Sequence, residues 1–362
     1  MTTTETPDLL LINHLDELAA FEPTGYPFIS LYLNLQPDQH GRDNFEPFVR
    51  KEFKAKAKSF APDSLELMSF KRDTARIESY LRNEVRPSAN GLAIFASAGA
   101  DDYFKAVQLS APLKRHDLHV GERPHLYPLA RVIDQYPRYV ALLADTTSAR
   151  LFVFGLGNIL GREEVQQVKL SRTQIGGWSQ MRYQRHMDNF HLQHAKEVVE
   201  VLDRVVREEA VEHIILAGDE VIIPLLREQL PERLAEKVID VLRLDIKTPE
   251  HEVLKATMEA LREHNVHTDA EKVRQLFDEY RAGGLAVVAW KDTVKAIEQG
   301  QADEVLLSAS AREIRTDDEP TPVSADLLVT LARQTGARVT FIEDTALLSS
   351  IGGVGAMLRY RI

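Results

Sequence analysis

The sequence predicts an α/β protein of three domains, with a central mixed β-sheet domain flanked by helices and a C-terminal α/β/α sandwich. Three observations predict this class. The chain has 362 residues, which corresponds to two or three domains at roughly 150 residues per domain. Apolar residues make up 44% of it, enough for each domain to bury a core. Short alternating apolar runs and amphipathic helical stretches follow one another along the chain, a pattern typical of mixed α/β folds.

The first domain is expected over residues 1–137. Residues 28–35 alternate between apolar and polar side chains, which predicts a half-buried strand. Two helices and two further strands are expected after it, over 44–60, 63–86, 91–96 and 104–109. The stretch 111–137 contains four prolines, and we place the first domain boundary near its end.

The second domain is expected over residues 138–265. It begins with three strands in a meander, over 139–144, 150–154 and 163–170. A long helix follows, because apolar positions from Met187 to Val205 recur every three or four residues. A strand, a helix, a strand and a helix then alternate, over 213–217, 219–229, 238–244 and from about 249.

The third domain is expected over residues 266–362. Its first helix, 270–282, ends at Gly283-Gly284, a good C-terminal cap. Strand and helix then alternate over 304–308, 325–334, 338–342 and 356–360. The polar stretch 312–322 predicts an exposed loop.

Composition excludes several classes of function. The chain carries 44 Lys and Arg against 55 Asp and Glu, a formal net charge of −11, so DNA is not an expected partner. It has no Cys, which excludes disulfides, thiolate zinc sites and a cysteine nucleophile, and which is compatible with a cytoplasmic protein. No secretory signal and no apolar stretch of about 18 residues is present, so no membrane association is expected.

One segment of the chain is basic, although the chain as a whole is acidic. No acidic residue occurs from Val165 to Met187, and at the centre of this stretch residues 176–180 read Gly-Gly-Trp-Ser-Gln. The basic residues of the stretch are Lys169, Arg172, Arg182 and Arg185. A Gly-Gly tip can enter a narrow cavity, guanidinium groups can hold phosphates and Trp178 can stack on an unpaired base. The residues alone leave a second interpretation open: a flexible glycine connection, a packed Trp and a solvated basic face.

This segment, with the following Met-Arg-Tyr-Gln-Arg of residues 181–185, resembles the Gly-Gly-Gln loop of archaeal and eukaryotic peptide-chain release factors. In that family the loop joins a strand to a long helix with a basic start, as expected here. Residues 351–360, Ile-Gly-Gly-Val-Gly-Ala-Met-Leu-Arg-Tyr, resemble the end of the C-terminal domain that those factors share with Pelota. The resemblance points to the bacterial release-factor-like branch, related to ribosome-rescue peptidyl-tRNA hydrolases, and implies an RNase H-like central domain.

The resemblance implies a ribosome-associated peptidyl-tRNA hydrolase that needs no metal or organic cofactor. Gln180 would position the attacking water and help stabilise the oxyanion, while Gly176 and Gly177 would let the loop enter the peptidyl transferase centre of the large ribosomal subunit. Contacts with ribosomal RNA or the tRNA acceptor end would come from Trp178, Ser179, Lys169, Arg172, Arg182 and Arg185.

The sequence also departs from the release-factor pattern. The family's Gln directly follows the two glycines, whereas here Trp178 stands there and Gln is at position 180; the rescue hydrolases also shift their Gln. Residues 1–137 lack the Asn-Ile-Lys-Ser motif that reads stop codons, so rescue of stalled ribosomes is expected rather than stop-codon decoding. A non-catalytic, Pelota-like ribosome- or tRNA-binding factor remains the alternative. A nuclease would need clustered carboxylates that the sequence does not offer.

Four other patterns are interpreted as structural. The glycines of residues 155–161 predict a hairpin turn rather than a dinucleotide loop, since a strand pattern follows them. The glycines of residues 352–355 precede a terminal strand with no helix behind it. Asp145 is expected to form a turn rather than act as an acid. Three histidines are too spread around a helix for one metal site, namely His186, His191 and His194.

Overall fold

The computed structural model describes residues 7–36, 45–166, 180–309, 313–314 and 323–361, and the side chains of 13–36, 45–165, 189–309 and 325–361. The chain divides into two compact units. One combines Met1–Tyr136 with Val266–Ile362, and the other is Pro137–Asn265. The division of the first unit into separate N- and C-terminal domains stays a prediction.

The N-terminal part of the first unit is a four-stranded antiparallel sheet covered by helices. Its elements are α1 (Pro7–Ala19), β1 (Phe28–Asn34), α2 (Phe45–Ala57), α3 (Leu65–Asn83), β2 (Gly91–Ser97), β3 (Tyr103–Leu109), β4 (Asp117–Gly121) and α4 (Tyr127–Gln135). The strand order is β3-β2-β1-β4. Sequence reasoning did not find α1, β4 or α4.

Strand β1 is buried on both faces, so the half-buried strand that the alternation predicts is wrong in its exposure. One face packs against α2 and α3, where Ile29 and Leu31 join Phe70 in one core. The other face carries Ser30 and Tyr32, also buried. Both side chains bond the backbone of His125: Ser30 Oγ accepts from its N–H, at 2.9 Å, and the Tyr32 hydroxyl donates to its carbonyl. These two polar side chains are therefore buried because the backbone of His125 supplies their hydrogen-bond partners.

The second unit is a five-stranded mixed sheet with helices on both faces. Its elements are β5 (Tyr139–Ala144), β6 (Ser148–Gly155), β7 (Asn158–Gln166), α5 (Gln180–Glu208), β8 (His213–Gly218), α6 (Ile222–Gln229), α7 (Glu232–Ala235) and β9 (Val238–Leu242). The order is β7-β6-β5-β8-β9, with the first three strands antiparallel and β5, β8 and β9 parallel. One core lies under α5 and α6, and a second, around Phe152 and Phe154, covers the other face.

A single helix follows where two were expected. Its bounds are α8 (Glu250–Arg281), 32 residues, and the edge between the two units falls inside it, after Asn265. Neither Gly nor Pro occurs in residues 250–281, so nothing local interrupts the helix. The predicted cap is confirmed: Gly283 has φ +66°, and the N–H of Gly284 bonds the carbonyl of Glu279 at 2.8 Å.

The C-terminal part of the first unit is an α/β/α sandwich. Its further elements are β10 (Ala286–Val288), α9 (Trp290–Glu298), β11 (Ala302–Ser308), β12 (Glu313–Ile314), β13 (Val323–Ser324), α10 (Ala325–Thr335), β14 (Arg338–Ile342) and β15 (Val354–Leu358). The main sheet has the order β10-β15-β11-β14. Gly355 lets α8 approach it, because a Cβ there would lie 2.7 Å from the Leu276 side chain. Together with the central mixed sheet, this confirms the predicted fold class.

Helix α4 joins the two parts of the first unit. The Asp326 carboxylate of α10 accepts hydrogen bonds from the N–H groups of Leu126 and Tyr127, the latter at 2.9 Å. Glu343 accepts two bonds from Arg131, at 2.7 and 2.9 Å. Asp134 in turn accepts a bond from the N–H of Phe341 at 3.0 Å. Carboxylates therefore bond α4 to the C-terminal part at its start, middle and end, and the last of them, Asp134, belongs to α4 itself.

We expect the change Asp326→Ala to destabilise the first unit by about 1–2 kcal/mol, because the first N–H groups of α4 lose their acceptor. Asp326→Asn keeps a side-chain oxygen and should cost less than half as much. Urea unfolding can be followed by Trp290 fluorescence in a Trp178→Phe background, where Trp290 is the sole tryptophan. An alanine variant as stable as the parent protein would show that this capping contributes nothing.

The second prediction concerns pH. Burial raises the pKa of Asp134 to about 7, so the folded state holds this proton more tightly than the unfolded state. The free energy of unfolding should therefore fall as pH rises from about 4 to about 7, by up to about 1.4 kcal/mol per pH unit from this group. Asp134→Asn should flatten this dependence in the same urea assay, whereas Glu298→Gln, at an exposed position, should not. Identical pH profiles for the two variants would contradict the assignment.

Candidate functional site

The candidate site lies where the chain passes from β7 to α5. Strand β7 ends at Gln166 and α5 begins at Gln180. Arg182 and Arg185 follow within its first two turns. Six residues singled out from the sequence lie outside the described residues, namely Lys169, Arg172, Gly176, Gly177, Trp178 and Ser179. The predicted third strand, 163–170, is observed as far as Gln166.

Helix α5 is anchored by apolar packing along one face. Ala195, Val198 and Leu202 are fully buried, and Val205 nearly so, in the core beneath the sheet. The predicted apolar periodicity is thus confirmed over this part of the helix. With 29 residues, α5 runs without interruption from the end of the β7–α5 connection into the core.

An ion pair links the helix to the strand that precedes it. Arg204 Nη2 of α5 lies 2.5 Å from Glu163 Oε2 of β7. About half of the Arg204 side chain and a third of the Glu163 side chain are exposed, so the pair adds little stability. The pair shows which side of α5 faces β7. Strand β7 and the described side chains of α5 are therefore in direct contact.

The start of α5 carries charge of the wrong sign for helix stability. Its first turn has no acidic residue, and Arg182 and Arg185 follow. A helix N-terminus carries a positive partial charge, so acidic residues stabilise it and basic ones do not. Helix α8 follows the usual rule, with Glu250 and Glu252 in its first turn. The basic start of α5 is therefore not explained by the stability of the helix.

Asp145 forms a turn, as predicted. Its Oδ1 accepts bonds from the N–H groups of Thr147 and Ser148, both at 2.7 Å, and from both hydroxyls. Burial raises the pKa of Asp145, but these hydrogen bonds outweigh it and leave the pKa below its ordinary value. A carboxylate engaged in this way is a poor proton donor at neutral pH.

The glycines of residues 155–161 also form a turn, as predicted. Strands β6 and β7 pair directly, with Gly155 opposite Asn158. Leu156 and Gly157 complete the two-residue loop with φ of +49° and +76°, which matches the right-handed twist of a hairpin. No helix begins there, so the segment offers no dinucleotide cradle.

Asp219 lies at the carboxyl edge of the sheet, where α/β folds commonly hold ligands. Sequence reasoning did not single it out. Its Oδ1 accepts bonds from the N–H groups of Val221 and Ile222, both at 2.9 Å, so it caps the start of α6. The adjacent parallel strand, β5, ends at Ala144, and Asp145 follows it with its Oδ1 bonded to backbone N–H groups. These two carboxylates serve the backbone and do not form a catalytic pair.

The histidines of α5 do not form a metal site in the described part of the chain. His194 is fully buried, and its two ring nitrogens have no hydrogen-bond partner. Within the described ranges, no group of three or more His, Asp or Glu residues is arranged to hold a metal ion. None of the described helices is both long enough and apolar enough to cross a membrane.

Two family models match consecutive stretches of the chain. The first, described as bacterial archaeo-eukaryotic release factor family 10, matches residues 124–262. The second, described as eRF1 domain 3, matches residues 266–362. No curated protein matches the chain.

Several solved structures are similar at low identity. An archaeal translation termination factor, aRF1, is 17% identical, with 98% of each chain covered and a TM-score of 0.29. Archaeal Pelota, in a model of its ribosome-bound state with ABCE1, is 16% identical over 97% of this chain and 94% of its own, with a TM-score of 0.43. Dom34 of S. cerevisiae, described as a termination-like factor in RNA quality control, is 10% identical over 75% and 79%, with a TM-score of 0.44.

The matched stretches contain both sequence motifs. Residues 124–262 include the whole β7–α5 connection with its Gly-Gly-Trp-Ser-Gln segment. Residues 266–362 include the closing Gly-Gly-Val-Gly stretch. The two matches follow one another in the order expected of a release factor. The chain is a member of the release-factor-like superfamily.

Proposed function

We propose that this protein acts on the ribosome and hydrolyses the ester between a nascent peptide and its tRNA, with water as the attacking group. One observation carries the proposal. The Gly-Gly-Trp-Ser-Gln segment leads directly into a helix that carries basic residues in its first two turns, where the helix dipole disfavours positive charge. This segment lies inside the region matched by the model of the bacterial release factor family. Rescue of stalled ribosomes is the form of the activity we favour.

In this proposal residues 174–182 enter the peptidyl transferase centre of the large subunit. Gly176 and Gly177 reduce the bulk of the tip, and the Gln180 side chain orients the water. Gln180 is also the first residue of α5, and the first N–H groups of a helix lack intrahelical acceptors. Such groups favour a nearby anion, which supports a role for the Gln180 N–H in stabilising the oxyanion of the tetrahedral intermediate.

The remaining residues of the segment would hold RNA. Trp178 would stack on an unpaired base, with Ser179 beside it. Four basic side chains would contact phosphates of ribosomal RNA or of the tRNA acceptor end, namely Lys169, Arg172, Arg182 and Arg185. In this role the cations at the start of α5 serve binding at the expense of helix stability.

A non-catalytic factor of the Pelota kind is the second candidate. The position of Trp178, directly after the two glycines, favours it, because the release factors place their Gln there. In that case the protein would bind stalled ribosomes without releasing peptide. The requirement for Gln180 separates the two functions.

The change Gln180→Ala should lower the rate of peptide release by on the order of 10²–10³, the usual cost of removing one preorganised polar group. Ribosome binding should stay intact. Purified ribosome–nascent-chain complexes are incubated with each protein, and peptidyl-tRNA is followed on a gel. Gln184→Ala, one helical turn later, is the matched control and should release peptide at the parent rate.

Two outcomes would contradict the catalytic assignment. Equal rates for Gln180→Ala and the parent protein would remove Gln180 from the mechanism. A parent protein that binds stalled complexes but releases nothing would favour the non-catalytic factor.

The double change Arg182→Glu, Arg185→Glu should weaken ribosome binding and flatten its dependence on salt, because fewer counterions are released. It should not lower the melting temperature, since acidic residues suit a helix N-terminus. Co-sedimentation with ribosomes at low and high salt measures the effect. Lys196→Glu with Arg227→Glu, both exposed, makes the same change of charge elsewhere in the unit. Unchanged sedimentation of the first variant would refute the RNA contact.

A further inference from the structure

Helix α2 carries a concentration of positive charge that the proposed function does not use. Residues 50–58 contain five basic residues and one acidic residue, Glu52, a net charge of +4 in a chain whose net charge is −11. They lie in the N-terminal part of the first unit, outside the stretches matched by the two family models. Local charge of the opposite sign to the whole chain indicates a specific use.

The helix gathers these charges on one side. At 3.6 residues per turn, Arg50, Lys51 and Lys54 of α2 fall within a sector of about 100°, and Lys58 follows directly after the end of the helix at Ala57. We call these four residues the α2 cationic face. All four are exposed, and no acidic residue lies in the sector. The opposite side of the helix carries Val49 and Phe53, which are buried in the core.

The α2 cationic face is not used to hold the fold together. Lys51, Lys54 and Lys58 form no ion pair with any residue that the structure describes. Among the described residues Arg50 pairs only with Glu46, one turn earlier, at 3.3 Å, and both side chains are more than 60% exposed. Elsewhere in the same part of the chain cations are paired with distant carboxylates, as Arg72 is with Asp102 at 2.6 Å.

Helix stability explains only part of the pattern. Cations in the last turn interact favourably with the helix dipole, which accounts for Lys54 and Lys56. It does not account for Arg50 and Lys51, near the middle of α2, or for the absence of acidic residues from the whole sector. The side chains point away from the core, so packing does not require them either.

We infer that the α2 cationic face binds the phosphate backbone of RNA without reading its sequence. Lysines are flexible point charges that suit phosphates rather than base edges. The sector has no exposed aromatic or large aliphatic side chain, the anchors that a protein partner would need. The exposed Leu65 and Met68 belong to α3. The choice of RNA over another polyanion rests on the proposed function; the binding surface itself does not.

The test is the triple change Lys51→Gln, Lys54→Gln, Lys58→Gln. The probe is a fluorescein-labelled single-stranded RNA of mixed sequence and about 30 nucleotides, titrated by anisotropy between about 50 and 250 mM KCl. Each lost contact removes about 0.7 from the slope of log K against log salt. Three lost contacts should therefore reduce the slope by about 2 and weaken binding by about 10²-fold near 0.1 M salt.

The matched control is Lys71→Gln, Lys255→Gln, Lys295→Gln, three exposed lysines outside the α2 cationic face with the same total change of charge. This control variant should retain most of the parent protein's affinity for the RNA probe and most of its slope of log K against log salt. Because no substituted side chain is buried, both variants should melt at the parent temperature. The loss should persist when the α2 triple is combined with Arg182→Glu and Arg185→Glu, since the two surfaces act independently. Peptide release is not measured, so failure of the hydrolase proposal leaves this test unaffected.

Three outcomes would overturn the inference. The α2 triple and the control could bind RNA equally well, which would leave the face without a role. The parent protein could fail to bind the probe even at the lowest salt. Poly-glutamate of equal total charge could displace the probe as well as unlabelled RNA does, which would assign the face to an acidic protein.

Discussion

The first unit depends on carboxylates that reach helix α4 from residues 200 positions further along the chain. Leu126 precedes α4 and its side chain provides no cap, so the first N–H groups would lack acceptors. Asp326 supplies them, and Glu343 holds Arg131 one turn later. These contacts join Met1–Tyr136 and Val266–Ile362 into one compact unit. The residues that follow the central unit therefore pack with the residues that precede it and complete the first unit.

The central unit follows a different principle. Its sheet is fixed by apolar residues on both faces, and α5 is packed against one of these cores. The end of α5 away from the core carries charges that weaken a helix terminus. Stability is therefore supplied by the buried face of α5, which includes Ala195, Val198 and Leu202, and the charges at the start of the helix do not add to it. This division suits the RNA contact that we propose for the start of the helix.

The two proposals assign separate tasks to separate parts of the chain. The β7–α5 connection, within the family-matched stretch, is proposed to promote ester hydrolysis. The α2 cationic face lies in residues that neither family model covers, and is proposed to bind RNA by charge alone. A globally acidic protein needs such local patches to approach RNA, because its mean field repels phosphates.

The sequence by itself determined those features that depend on near neighbours. The apolar period of α5, the turns at Asp145 and Gly157 and the cap at Gly283 were all predicted, because a few adjacent residues specify each of them. The burial of Ser30 and Tyr32 was missed, since their partner, His125, lies more than 90 positions away. Helix α4 was not predicted because it lies in a proline-rich stretch, although Pro128 at its start is a typical helix signal. Helix α8 was predicted as two helices, although neither Gly nor Pro interrupts it. Tertiary structure decided these points because the groups that satisfy each backbone or side chain come from distant parts of the sequence. For the candidate site, the sequence proposes the residues, and the structure adds that Gln180 begins a helix anchored in the core.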